Sequence, residues 1–136
     1  MNSKQFDQEN DVAPTPFSHR HTEMAEKLKE SGLPFHPHAG CFVWDPQEVI
    51  NSPSPFPNRI YFILSLQRFL YIFGNKENIK KQLVWLPTWH QARLLCEKMA
   101  IGRDQIASLW QKKPNIPPGE DLLALYSILH ETLKKR

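Results

Sequence analysis

The sequence predicts an all-α domain, a compact bundle of about five helices that carries an irregular proline-rich segment and a disordered N-terminal arm. Apolar residues recur at three- and four-residue steps in several stretches. Residues that start and stop helices flank those stretches. The 12 prolines of this 136-residue chain fall in clusters between them. The length suits one domain, so we expect an arm over residues 1–18 and a single helical domain over residues 19–136.

The N-terminal arm is polar, contains Pro14 and Pro16, and has no apolar periodicity. Such composition offers too little apolar surface to offset the entropy of ordering. The arm also lacks the apolar core of a signal peptide, so we expect a cytoplasmic protein. A first helix is predicted over residues 21–31, where a narrow apolar stripe ends at Gly32.

The middle of the chain combines a proline-rich segment with its most apolar stretch. Residues 33–57 hold six prolines, and Asp45 followed by Pro46 predicts the start of a short helix within them. Residues 58–73 are apolar nearly all round, which predicts a buried helix. A strand over residues 60–66 is the alternative, because β-branched and aromatic residues are dense there.

The C-terminal half contains three further helical patterns. Thr88 and Gln91 have the spacing of a capping box, which predicts a helix over residues 89–99. A short helix follows over residues 105–112. The last helix, over residues 120–135, has acidic residues at its start and basic residues at its end, as the helix dipole favours.

Charge is distributed unevenly along the chain. Residues 1–58 contain 4 Lys and Arg against 8 Asp and Glu, whereas residues 59–136 contain 13 against 6. A basic C-terminal half favours an anionic partner. The alternative is an ordinary solvated surface that is mildly basic.

The stretch from residue 95 to residue 110 resembles a helix-turn-helix motif. Cys96 stands where the motif requires a small residue, and Ile101 stands at its buried turn position. Ala100 replaces the usual turn glycine, and Gly102 comes two residues later. If residues 96–112 bind DNA, the second helix enters the major groove. The residues predicted to face the nucleic acid are Arg103, Gln105, Ser108 and Lys112. The alternative is a pair of packed core helices.

A second candidate site is a cluster of potential zinc ligands. His36, His38 and Cys41 provide two imidazoles and a thiol, which are groups that zinc accepts in a tetrahedral shell. The paired cysteine spacing of common zinc sites is missing. The alternative is a loop whose histidines are satisfied by local hydrogen bonds.

A third candidate is an interaction surface rich in tryptophan. Aromatic residues and arginine are enriched in protein interfaces. The candidate residues lie at or near helix starts: Trp85, Trp89, His90, Arg93 and Trp110. The alternative is that the tryptophans belong to the core. A homodimer could also form by covering part of the apolar stretch at residues 60–73.

No catalytic residues are predicted, because nothing in the sequence groups an acid, a base and a nucleophile. The longest apolar stretch is also shorter than the roughly 20 residues that a membrane-spanning helix needs. We therefore expect a small non-enzymatic interaction or regulatory domain, with an unidentified protein or a second copy as its partner. DNA binding and zinc binding are the alternatives.

Overall fold

A computed structural model describes residues 6–112 and 115–136 of the chain. Three short strands form one antiparallel sheet in the order β2-β1-β3. The all-α prediction is therefore wrong: the described residues form a mixed α/β domain with six helices. The elements in chain order are α1 His19–Glu30, β1 Phe42–Trp44, β2 Ile60–Phe62, α2 Leu66–Phe73, α3 Lys76–Gln82, β3 Val84–Leu86, α4 Trp89–Lys98, α5 Arg103–Lys112 and α6 Glu120–Lys134.

The helix predicted over residues 58–73 is in fact a strand followed by a helix. Tyr61 in β2 pairs with Val43 in β1, as suits residues that pack well on a pleated surface. Ser65 then caps α2, because its Oγ accepts the backbone N–H of Arg68 at 3.4 Å. The strand alternative is thus correct for residues 60–62, and the helix prediction is correct from Leu66 onward.

The sheet separates two hydrophobic cores. Successive side chains of a strand point to opposite faces, and the register aligns Phe42 with Phe62 and Leu86 on one face. That face packs against α1, α4, α5 and α6 in the first core. Val43 and its partners Tyr61 and Trp85 point to the other face, into the second core with α2 and α3. The domain is therefore a three-layer structure with the sheet in the middle.

The first core is closed by contacts between α1, α6 and the chain before α1. Tyr126 of α6 is fully buried, and its hydroxyl donates to the carbonyl of Pro87. The backbone N–H of Ser18 donates to His21 Nδ1 at 3.1 Å, and His21 Nε2–H donates to the carbonyl of Gly119 at 2.9 Å. Burial lowers the pKa of His21. This favours the neutral ring, in which Nδ1 accepts one of these hydrogen bonds and Nε2–H donates the other. Phe17, at the end of the predicted arm, is also buried in this core.

The segment between β1 and β2 is held by Asp45 rather than by a helix. Residues 45–48 form a turn, so the short helix predicted to start at Asp45 is wrong. The fully buried carboxylate of Asp45 accepts the backbone N–H groups of Val49 at 3.1 Å and Ile50 at 2.9 Å. It also accepts from Arg59 at 2.7 Å. This network attaches the proline-rich segment to the sheet.

The other predicted helices are confirmed. α1, α4, α5 and α6 lie within about two residues of their predicted bounds, as is usual for helix ends. The capping box of α4 forms, with Thr88 Oγ1 accepting the Gln91 N–H at 3.2 Å and Gln91 Oε1 accepting the Thr88 N–H at 2.9 Å. The short helix α3 was not predicted. Within the described ranges, no helix is long and apolar enough to cross a membrane.

Candidate functional site

Helix α2 presents two unlike faces. Phe69 and Phe73 are buried in the second core, whereas Tyr71 is 91% exposed and Arg68 is also exposed. Leu64, just before the helix, is 81% exposed. Arg68 and Tyr71 are three residues apart within α2, so they share one face of the helix. We name this face, together with the groove described next, the α2 surface.

A groove of about 440 Å³ runs along the α2 surface. Its lining residues are Val49, Asn51, Ser52, Arg68, Tyr71 and Ile72. The wall opposite the helix is fixed by hydrogen bonds, since Arg59 donates to the Ile50 carbonyl at 2.6 Å and the Tyr61 hydroxyl donates to the Ser52 carbonyl at 2.7 Å. The groove therefore exists before any partner binds, which reduces the entropic cost of association.

The α2 surface lies on a basic layer of the domain. Residues 66–82 carry four cationic side chains and one acidic side chain. The acid, Glu77, lies 3.7 Å from Lys80, and none of the groove-lining residues is acidic. The remaining cations are Arg68, Lys76 and Lys81, all exposed. The electrostatic field over this layer favours a negatively charged partner.

The helix-turn-helix candidate has a well-defined turn between α4 and α5. Ala100 adopts a left-handed conformation with φ of 59°, the conformation for which the motif prefers glycine. The N–H of Ala100 donates to the Glu97 carbonyl at 3.1 Å and that of Ile101 donates to the Cys96 carbonyl at 2.9 Å. This pair of bonds is a Schellman motif. Ile101 is buried, as predicted.

The four predicted DNA-facing residues do not all lie together. Gln105, Ser108 and Lys112 are spaced so that they share one face of α5, and Gln105 and Lys112 are exposed. The Ser108 hydroxyl donates to the Gln105 carbonyl at 2.7 Å. Arg103 points elsewhere, because its Nε donates to Glu97 Oε1 at 2.9 Å. A contact from Arg103 to DNA would require that ion pair to open.

The predicted tryptophan surface is divided by the sheet. Trp89 of α4 and Trp110 of α5 are in contact, with ring centroids 5.5 Å apart. His90 is exposed and Arg93 is half-buried beside them on α4. Trp85 lies in β3 on the opposite face of the sheet, where its ring stacks on Phe35 at 5.6 Å. The structure therefore brings four of the five residues to the α4–α5 pair of helices and leaves Trp85 apart.

The three predicted zinc ligands lie in unlike surroundings. His36 and His38 are exposed, and His38 Nδ1 lies 2.8 Å from the Ala39 carbonyl. Cys41 is fully buried, and burial raises the pKa of its thiol, which disfavours the thiolate that binds metal. Within residues 6–112 and 115–136, no group of three or more His, Cys, Asp or Glu side chains could hold a metal ion. Zinc binding stays a prediction that these positions do not support.

The α2 surface was not predicted from the sequence. Residues 58–73 look apolar all round only when the strand and the helix are read as one helix. A helix that begins at Leu66 leaves Gln67, Arg68 and Tyr71 on one side, and that polar side was the available signal.

Comparison of the chain with protein-family models, with curated proteins and with solved structures finds no match. Its function is therefore argued from its own surfaces.

Proposed function

We propose that this protein is a non-enzymatic interaction domain that binds an acidic polypeptide segment on the α2 surface. The observation that carries the proposal is the exposure of Tyr71, at 91%, on a groove without acidic lining. A large, mainly apolar side chain that is left uncovered at the edge of a groove is typical of a docking site.

The chemistry of the α2 surface indicates what the partner offers. A groove of about 440 Å³ accommodates an apolar anchor side chain of the partner. Tyr71 and Arg68 at its rim are of the residue types that dominate binding energy in interfaces. An acidic residue beside the anchor would pair with Arg68, and Lys76 and Lys81 of α3 add positive charge that steers association.

Selection of peptides on the full chain tests this function. A random peptide library displayed on phage is expected to yield sequences with an aliphatic or aromatic anchor flanked by Asp or Glu. Tyr71→Ala and Arg68→Glu are each expected to weaken the selected peptides at least about tenfold, the effect of losing a central interface contact. The matched controls are Leu94→Ala and Lys98→Glu, which change an exposed apolar residue and an exposed cation on α4.

Three outcomes would overturn the proposal. The first is the absence of any enriched sequence, and the second is enrichment of basic or uncharged peptides. The third is equal weakening by the α2 and α4 variants, which would place the site elsewhere. Light scattering during size-exclusion chromatography measures the oligomeric state. If the protein is a dimer and Tyr71→Ala makes it monomeric, a second copy of the chain occupies the α2 surface.

DNA binding through α5 is the second candidate function. It is favoured by the left-handed Ala100 and the Schellman turn, which give α4 and α5 the connection that the motif needs. Gln105 and Lys112 are exposed on one face of the second helix. The ion pair of Arg103 with Glu97 and the exposed carboxylate of Asp104 oppose it, which is why it stands second.

Fluorescence anisotropy of a labelled random duplex, at low and at near-physiological salt, tests DNA binding. If α5 binds DNA, the affinity is submicromolar at low salt and falls steeply as salt rises, because phosphate contacts release counterions. Lys112→Ala is expected to reduce the salt slope by about one, whereas Lys81→Ala on the opposite layer leaves it unchanged. Absence of binding at low salt would remove this candidate.

A further inference from the structure

A second pocket, of about 200 Å³, lies between the end of α1, the following loop, α3 and β3. It shares no lining residue with the α2 surface. Its cationic or titratable lining residues are Lys29, His36 and Lys80, and no lining residue is acidic. Phe35, Leu83 and Trp85 provide apolar walls. The pocket is smaller than the 300–1,000 Å³ usual for drug-sized ligands, so it suits a small molecule.

The two lysines of this pocket are only partly engaged in hydrogen bonds and ion pairs within the protein. Lys29 Nζ donates to the carbonyls of Lys81 at 2.7 Å and Leu83 at 3.2 Å, which engages two of its three donors. Burial lowers the pKa of Lys29, against the opposing influence of nearby Glu26. Among the residues that the structure describes, Lys80 Nζ pairs only with Glu77, at 3.7 Å and in a partly exposed position. A bound anion could therefore accept a hydrogen bond from the third N–H of Lys29, and the ammonium group of Lys80 would balance its negative charge.

The aromatic wall of the pocket is formed by two stacked rings. The rings of Phe35 and Trp85 are stacked, with centroids 5.6 Å apart and planes 14° from parallel. The indole Nε1 of Trp85 is buried and has no hydrogen-bond partner among the described residues. Buried indole N–H groups usually have an acceptor. Because the Trp85 Nε1 atom is enclosed by the protein, a ligand in the pocket contacts other atoms of Trp85 and not this donor.

We propose that this pocket binds a small aromatic carboxylate. The flat apolar part of the ligand lies against Phe35 and Trp85, and its carboxylate accepts from Lys29 and Lys80. The combination distinguishes this ligand class from inorganic phosphate, which has no apolar part, and from a neutral aromatic amide, which has no charge.

Titration of the ¹⁵N-labelled full chain with sodium benzoate, followed by NMR, tests this proposal. We expect saturable shifts of the Trp85 indole N–H signal, with a dissociation constant of about 1 mM or below, the range open to so small a ligand. Benzamide is expected to bind at least about tenfold more weakly, since it lacks the charge that Lys29 and Lys80 would meet. Inorganic phosphate is expected to leave the indole signal unchanged.

One variant localises the effect. Lys80→Met removes a partly exposed charge and is expected to weaken benzoate about tenfold, as loss of one hydrogen bond to a charged group does. Lys98→Met removes an exposed cation from α4, on the other side of the sheet; it is the matched control and leaves binding unchanged. The proposal is overturned if benzoate causes no saturable shift, if benzamide or phosphate binds equally well, or if Lys80→Met has no effect.

Discussion

Replacing Asp45 with alanine is expected to lower the free energy of unfolding by about 3–5 kcal/mol, the usual cost of removing one partner of a buried ion pair. The Asp45 carboxylate is fully buried and accepts from Arg59, Val49 and Ile50. The variant leaves two backbone N–H groups without their acceptor and removes the carboxylate that pairs with Arg59, whose guanidinium keeps the Ile50 carbonyl. Because Arg59 is 34% exposed, water can solvate part of its charge, and we expect the lower end of the range.

Urea unfolding of a small set of variants measures this effect. Glu30→Ala removes an exposed carboxylate from the end of α1 and is expected to change stability by less than about 0.5 kcal/mol. Asp45→Asn retains an acceptor oxygen but not the charge, so it should fall between Asp45→Ala and the wild type. A double-mutant cycle with Arg59→Ala isolates the ion pair. A loss below about 1 kcal/mol for Asp45→Ala would contradict the assignment of this network as the attachment of the proline-rich segment.

The attachment also matters for the proposed function. Arg59 binds both Asp45 and the Ile50 carbonyl, and residues 49–52 form one wall of the groove on the α2 surface. Loss of Asp45 would therefore loosen that wall without touching a groove-lining side chain. Binding of a selected peptide to Asp45→Asn should weaken in proportion to the loss of stability of this segment.

Four of the six described helices, α1, α4, α5 and α6, were predictable because their ends carry local signals. The Thr88–Gln91 capping box of α4 is formed by residues close in sequence, so the sequence pattern and the observed bonds coincide. The strands carry no comparable signal. Each has three residues, too few for alternation to be recognised, and each is stabilised by partners distant in the chain, such as Trp44 with Ile60 and with Val84.

The candidate sites show the same difference between features formed by residues close in sequence and features formed by distant residues. The turn at Ala100 was predicted from nearby apolar positions, and its hydrogen bonds reach only back to Cys96. The sequence prediction placed Trp85 and Trp89 on one surface. This was wrong because Trp85 lies in a strand and points to the face of the sheet opposite α4. Likewise, the groove depends on Ser52, which Tyr61 holds from nine residues away. Surfaces built from separate segments could not be derived without the sheet.

The two faces of α2 provide the strongest check of this fold. Phe69→Ala is expected to cost about 3–5 kcal/mol, because truncating a buried phenylalanine removes apolar contacts and leaves a cavity. Phe69 is 8% exposed in the second core and stacks on Phe73, with ring centroids 6.4 Å apart. Tyr71→Ala, two residues away on the same helix, is the matched control and should change stability by less than about 0.5 kcal/mol.

Urea unfolding of these two variants separates stability from binding. A loss below about 1 kcal/mol for Phe69→Ala would mean that the second core is misplaced. A large loss for Tyr71→Ala would mean that its ring is covered by the protein itself, so that the α2 surface would no longer be free for a partner. If Phe69→Ala is unstable while Tyr71→Ala is stable but fails to bind selected peptides, the buried face of α2 maintains the fold and the exposed face binds the partner.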